Sequence, residues 1–259
     1  MDIGYACINN TLKQDKITTN RGMIKKTFQE RGAEYASQLA LMNVRDLYTI
    51  VQWNIHNNIK VFRMSSDLFP WMSEYEIPEL PDWSQISDIG QLAMSAGMRL
   101  SFHPGPFNIL CSPKEAVVEN TIKELAQHAF ILDCMGLPHN QTHKVNIHIG
   151  GAYGDKQAAM DRWIQNFQRL STSAKSRLTI ENDDKTSMYA VEDLLYVSNA
   201  TGVPIVFDFH HHDCHPGVLS KEDALFYALH TWPSHIKPMT HFSSSRKHYE
   251  DSTVKNVAH

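Results

Sequence analysis

The chain has 259 residues, of which 42% are hydrophobic and 20% charged, with a formal net charge of −4 when its 15 histidines are neutral. That length allows one large or two small domains, and the acidic balance excludes a global positive field for nucleic acid without excluding a local basic rim. Cys7, Cys111, Cys134 and Cys214 show no CxxC and no regular spacing, the pattern of reduced thiols in an intracellular protein, and no apolar run approaches the ~20 residues of a membrane span.

Apolar runs of strand length alternate with helical patterns along the chain. The predicted strands are Ile3–Cys7, Lys60–Met64, Arg99–His103, Val145–Ile149, Leu178–Glu181, Pro204–Phe209 and Ile236–Phe242. Thr27–His56 reads as one long or two shorter helices, with Leu39, Met42, Leu47, Ile50, Val51 and Ile55 inward. Helices are then expected over Ser84–Ala96, Pro113–Met135 (capped by Ser112), Asp155–Ser173, Met188–Ala200 and Ser220–His230, where Ser220 and Asp223 resemble a capping box. Gly97, Gly136 and Gly202 mark helix exits.

Strict β–α alternation predicts a parallel sheet covered by helices, in a single domain over 1–259. Seven strands are visible where a closed TIM-type (β/α) barrel has eight. After His241 the sequence is polar, so the eighth strand is expected to be missing, with the barrel truncated or short at its C-terminus.

Residues able to bind metal recur where these runs end: His103, His148, Glu181, Asp208, His211 and His241. In a parallel α/β protein those ends share one face, so residues distant in sequence converge there. An acidic group at a buried strand end is costly unless paired or metal-bound, which favours Glu181 and Asp208 as ligands. His210, His211 and His212 cannot all face one way if extended, so the residues alone do not choose among them; only the resemblance to a known family selects His211 and leaves His210, His212 and His215 as loop residues or as supports for the ligands. GGAYG at 150–154 lacks the spacing of a phosphate loop, and no nucleophile elbow is present. A divalent-metal site follows, with more donors than one ion takes from protein.

The motifs GYACIN, TTNR, FRMSSDLFP, SFHPG, HIGGAYG, IEND, DFHHH and HFSSSR, in this order, resemble the UV-damage endonucleases, a family related in fold to endonuclease IV and the xylose-isomerase-like barrels. The resemblance implies two or three divalent ions, often manganese, and nicking of damaged double-stranded DNA immediately 5′ of a UV photoproduct. It implies that His103, His148 and Glu181 serve a first ion and that Glu181, Asp208 and His241 serve a second. His211 and His259 would serve a third. Tyr5 and Asn9 match residues that face DNA. A monomer inside the cell, without membrane contact, is expected.

The sequence also departs from the family. Glu74 stands where the family has a histidine ligand, and in the family's glutamine–aromatic pair that probes the lesion Pro106 replaces the glutamine while Phe107 keeps the aromatic. Met239 replaces a lysine near the seventh strand, which removes a ground for the third ion, and the carboxylate of the eighth strand has no counterpart. Two other readings stay open: a different metal-dependent barrel enzyme, such as a sugar isomerase or abasic-site nuclease, and a non-catalytic damage binder or inactive fragment.

Overall fold

A computed structural model describes residues 1–75, 84–245 and 252–253. The chain forms two compact units, Met1–Gly105 with Lys123–Val145 and Thr172–Arg177, and Pro106–Ile122 with Asn146–Ser171 and Leu178–His259.

In the first unit β1 (Gly4–Ala6), β2 (Val61–Arg63) and β3 (Arg99–Ser101) form a parallel sheet in that order, with Tyr5 opposite Phe62 and Phe62 opposite Leu100. Parallel neighbours need a crossover. The crossovers are α1 (Asn10–Lys13) and α2 (Lys25–His56), then α3 (Ser84–Ser95). The α2 helix follows the expected pattern and breaks at Gly32, whose φ of 65° is left-handed. Its buried stripe is Ala36, Leu39, Ala40, Asn43, Val44, Leu47, Ile50, Val51 and Asn54. Met42, expected inward, is exposed. It lies two residues past Ala40, about 200° around the axis, on the far face. The sequence pattern passed over Asn43 because it is polar. It is tolerated because its Nδ2 lies 3.0 Å from the Arg21 carbonyl and its Oδ1 accepts the Arg21 N–H at 3.1 Å.

In the second unit the sheet order is β4 (Val145–Ile147), β5 (Leu178–Glu181), β6 (Ile205–Asp208) and β7 (Thr240–His241). The β5–β6 and β6–β7 pairs are parallel, with Glu181 opposite Val206 and Asp208 opposite His241. The strand expected over Ile236–Phe242 shrinks to two residues, since Pro238 has no N–H for a ladder. Trp163, Leu194, Ile205 and Phe207 fill the core, and Trp232 Nε1 donates to the Ile205 carbonyl at 2.7 Å.

The helix expected to open at Pro113 begins as α4 (Glu115–Cys134), because the Ser112 hydroxyl accepts the Lys114 N–H at 3.1 Å and shapes a turn first. The helix expected over Asp155–Ser173 divides into α5 (Lys156–Phe167) and α6 (Thr172–Arg177). The break covers 168–171, where the Gln168, Arg169 and Leu170 N–H groups close tight turns onto the Gln165, Asn166 and Phe167 carbonyls at 3.2, 3.0 and 3.2 Å. Next, α7 (Val191–Thr201) starts late because residues 188–190 turn back, and the Asp183 N–H donates to the Tyr189 carbonyl at 2.9 Å. Gly97, Gly136 and Gly202 take left-handed φ values of 62°, 69° and 75°, as their positions predict. The helices α8 (Phe209–Cys214) and α9 (Lys221–His230) complete the order. Ser220 caps α9 by accepting the Asp223 N–H at 3.1 Å. Among the described residues, no helix is long and apolar enough to cross a membrane.

Two buried imidazoles tie the first unit to pH. Burial pushes the His128 pKa down to about 4, against a smaller opposing effect from its bond to the Glu124 carbonyl. Burial likewise lowers His143 to about 4, with Arg177 and Arg99 adding to the shift and a bond to Leu100 opposing it. Each folded pKa lies below the unfolded value, so the stabilisation is complete above about pH 6.5 and is lost as pH falls toward 4. Moving from pH 7 to pH 5 is expected to cost roughly 2 kcal/mol per histidine. Urea unfolding of wild type and His128→Leu at both pH values checks this. The variant is expected to lose less stability on acidification, and an equal loss in both proteins would count against it.

Candidate metal centre

Glu181 is the last residue of β5 and Asp208 the last of β6, so two carboxylates end neighbouring strands. Both are buried, at 2% and 5% exposure. With His211 they offer three ligand atoms within 4.8 Å of one another. Two carboxylates this deep cost several kcal/mol unless a cation or strong donors offset their charge. The mixed imidazole–carboxylate donor set suits a divalent first-row metal.

The local chain direction explains how His211 arrives there. Extended geometry was expected for His210–His212, but α8 begins at Phe209, and all three histidines are buried. Asp208 causes the turn: its Oδ1 accepts the His211 N–H at 2.8 Å and caps the helix. Asn182 then fixes the junction. Its Oδ1 accepts the Asp208 N–H at 2.8 Å, and its Nδ2 donates to the Asp208 carbonyl at 3.0 Å. The Asn182 carbonyl also receives His211 Nδ1 at 2.8 Å, nearer than Glu181 Oε1 at 3.5 Å. A carbonyl only accepts, so Nδ1 carries the proton in this contact, and Nε2 is the nitrogen chemically able to coordinate a metal.

Glu181 is oriented from two sides. Asn146 Nδ2 donates to its Oε2, and Thr179 Oγ1 donates to Asn146 Oδ1 at 2.7 Å. His241 Nδ1 lies 2.9 Å from the same Oε2. His148 follows β4, with its ring 5.5 Å from that of His211 and its Nδ1 3.1 Å from Asp183 Oδ1. Burial acts to lower the His148 pKa. The bond to Asp183 and the charges of Glu181, Asp183 and Asp184 outweigh it and raise the pKa to about 9. That negative field also favours a divalent cation.

The remaining expected residues are distributed as follows. His103 follows β3 in the first unit, half-buried, with Nδ1 3.2 Å from the Pro104 oxygen, and its carbonyl accepts from the Ser66 hydroxyl at 2.9 Å. Tyr5 donates to Asn54 Oδ1 at 2.7 Å and accepts from Asn9 Nδ2 at 2.8 Å. Asn9 caps α1 by accepting the Leu12 N–H at 3.0 Å. Glu74 is exposed in the short 3-10 turn Met72–Glu74. Pro106 and Phe107 are exposed in the second unit, Phe107 at 85%. His259 lies outside the described residues.

Comparison with known proteins follows the same residues. The family model described as UV-endonuclease UvdE matches residues 1–257. The chain belongs to this family. A UV-damage endonuclease of Schizosaccharomyces pombe is 36% identical over 99% of this chain, yet the chain spans only 45% of that relative's length. The crystal structure of SacUVDE superposes with a TM-score of 0.85 at 31% identity, covering 98% of this chain and 84% of that one. A D-psicose 3-epimerase from Clostridium cellulolyticum shares the fold alone, at a TM-score of 0.54 and 14% identity over 76% of this chain and 67% of its own. The family's fold here is α/β with parallel sheets, as in the TIM-barrel epimerases, and seven strands occur among the described residues.

Sequence reading missed Asn146, Thr179, Asn182 and Asp183. A signal for two of them existed: Asn146 and Thr179 precede His148 and Glu181 by two residues, on the same strand face. Asp183→Asn keeps the shape but removes the charge facing His148. It is expected to weaken Mn2+ binding about 10- to 100-fold by isothermal titration calorimetry. Unchanged affinity would show that Asp183 does not act on the metal through His148.

Proposed function

We propose that the chain is a single-domain, metal-dependent DNA repair endonuclease that incises damaged double-stranded DNA immediately 5′ of a UV photoproduct, a pyrimidine dimer or 6-4 product. The observation that carries this reading is the buried Glu181–Asp208–His211 cluster at adjacent strand ends, in a chain of the UV-endonuclease family. Two divalent ions, manganese by preference, would when bound neutralise the phosphate and stabilise the attacking and leaving oxygens of an in-line displacement.

The chain's own residues divide the work. Glu181, Asp208 and His241 hold one ion, and His148 and Glu181 hold the other, joined by His103 through its motif. His211, clustered with the same carboxylates, would add a ring nitrogen as donor, while Asn146, Asn182 and Asp183 orient the candidate ligands. Glu74 and His259, as ligands of a third ion, rest on motif position alone. Tyr5, Asn9, Pro106 and Phe107 meet the DNA, with Phe107 as the exposed wedge. A crosslinked lesion is already poorly stacked, so bending and extruding it costs less than for intact duplex. The enzyme would act as an intracellular monomer, where it reaches DNA.

The test compares UV-irradiated with unirradiated plasmid, with Mn2+ or with a chelator. Nicking is expected only in the irradiated, metal-containing sample. His148→Ala and Glu181→Ala are expected to lower nicking by at least about a thousandfold while retaining most lesion binding. Wild-type cutting by either variant would refute the metal assignment, and metal-independent nicking would refute the mechanism.

A further inference from the structure

The sheet of the second unit runs β4-β5-β6-β7, so the two carboxylates end its inner strands and the chain leaves the outer strands on either side. Three strand spacings separate β4 from β7, about 14 Å. That is roughly four base steps of a nucleic-acid strand. Each outer strand is followed closely by an exposed aromatic ring: Tyr153, 49% exposed, beyond His148, and Phe242, 78% exposed, beside His241.

Both rings have neighbours in the chain on one side and solvent on the other. Tyr153 has a φ of 52°, a left-handed conformation that costs a tyrosine about 1 kcal/mol or more. Its ring lies over Gly151, where an added Cβ would stand 3.2 Å from Cε2 and make the ring give by a few tenths of an ångström. The Arg162 guanidinium stands 5.8 Å from the ring centroid, and Arg162 Nε is anchored on the Cys111 carbonyl at 2.9 Å. The loop itself is seated closely: at Gly150, with φ 108°, a Cβ would collide with Ile109 Cγ2 at 2.6 Å. Phe242 rests edge-on against Phe209, with centroids 5.8 Å apart. A half-exposed aromatic beside a guanidinium can stack a base on its ring and place a phosphate at the cation.

We propose that Tyr153 and Phe242 are nucleobase-stacking contacts on either side of the metal cluster, with Arg162 meeting a phosphate beside Tyr153. The proposal rests on the endonuclease reading and adds to it where the strand is gripped. Backbone strain at residue 153 then has a use, since it aims the ring outward from the ligand-bearing strand end.

Binding of a fluorescently labelled duplex with one pyrimidine dimer, followed by anisotropy with Ca2+ in place of Mn2+, tests it. Tyr153→Asn removes the ring but keeps a residue that tolerates left-handed φ. This variant and Phe242→Ala are each expected to weaken binding about tenfold. Mn2+ affinity measured by calorimetry is expected to stay at the wild-type value. Tyr153→Phe is expected to bind as wild type does, and so is Phe226→Ala, which alters an exposed ring on α9. If wild type binds and Tyr153→Asn or Phe242→Ala binds within twofold of it, the stacking contact is wrong while the endonuclease reading stands. Equal loss in Tyr153→Phe would also overturn stacking, because the hydroxyl would then be the contact. If wild type neither binds nor nicks damaged duplex, both readings fall.

Discussion

Glu181 and Asp208 end neighbouring parallel strands with their carboxylates almost out of water. Like charges at that depth repel, and each has given up its hydration. The surrounding chain answers that cost one group at a time. Asn146 and His241 face Glu181, the His211 amide faces Asp208, and His148 gains a proton affinity well above its ordinary value. None of these donors neutralises two charges, which is why the donor set makes chemical sense around a divalent cation. Without that demand, such polar residues at the ends of apolar strands would be a liability to the fold.

The architecture makes this concentration of charge affordable by keeping it at the margin of the sheet. Along β5 the residues before Glu181 are buried, and β6 before Asp208 is apolar and buried too. The change from core to chemistry happens within one or two residues. That abruptness explains why polar partners such as Thr179 and Asn146 point the same way as the ligands: alternation places them one step deeper on the same face. Their hydrogen bonds, Thr179 to Asn146 and Asn146 to Glu181, hold the candidate ligand above them in place.

Much of this was legible in the sequence. Glu181, Asp208, His148 and His241 were recognisable because a charged or metal-binding residue ending an apolar run conflicts with burial, and such a conflict needs a reason. The parallel pairing of the strands followed from β–α alternation. The conformation of DFHHH was not legible, because Asp208 acts both as strand terminus and as helix cap, and an extended reading sees only the first role. Met42 was misplaced because apolar character alone does not locate the buried stripe of a long helix. Asn182 was invisible for a different reason. An asparagine pairing both the N–H and the C=O of one residue on the neighbouring strand leaves no periodic trace.

That asparagine has a mechanical consequence. By gripping the amide and carbonyl of Asp208 while its own carbonyl receives the His211 ring, Asn182 extends the sheet ladder with a side chain where the backbone has already turned into a helix. The strand end that carries Glu181 and the turn that carries Asp208 and His211 therefore travel as one piece. The spacing among Glu181, Asp208 and His211 is thus set by hydrogen bonds to a single residue rather than by separate mountings.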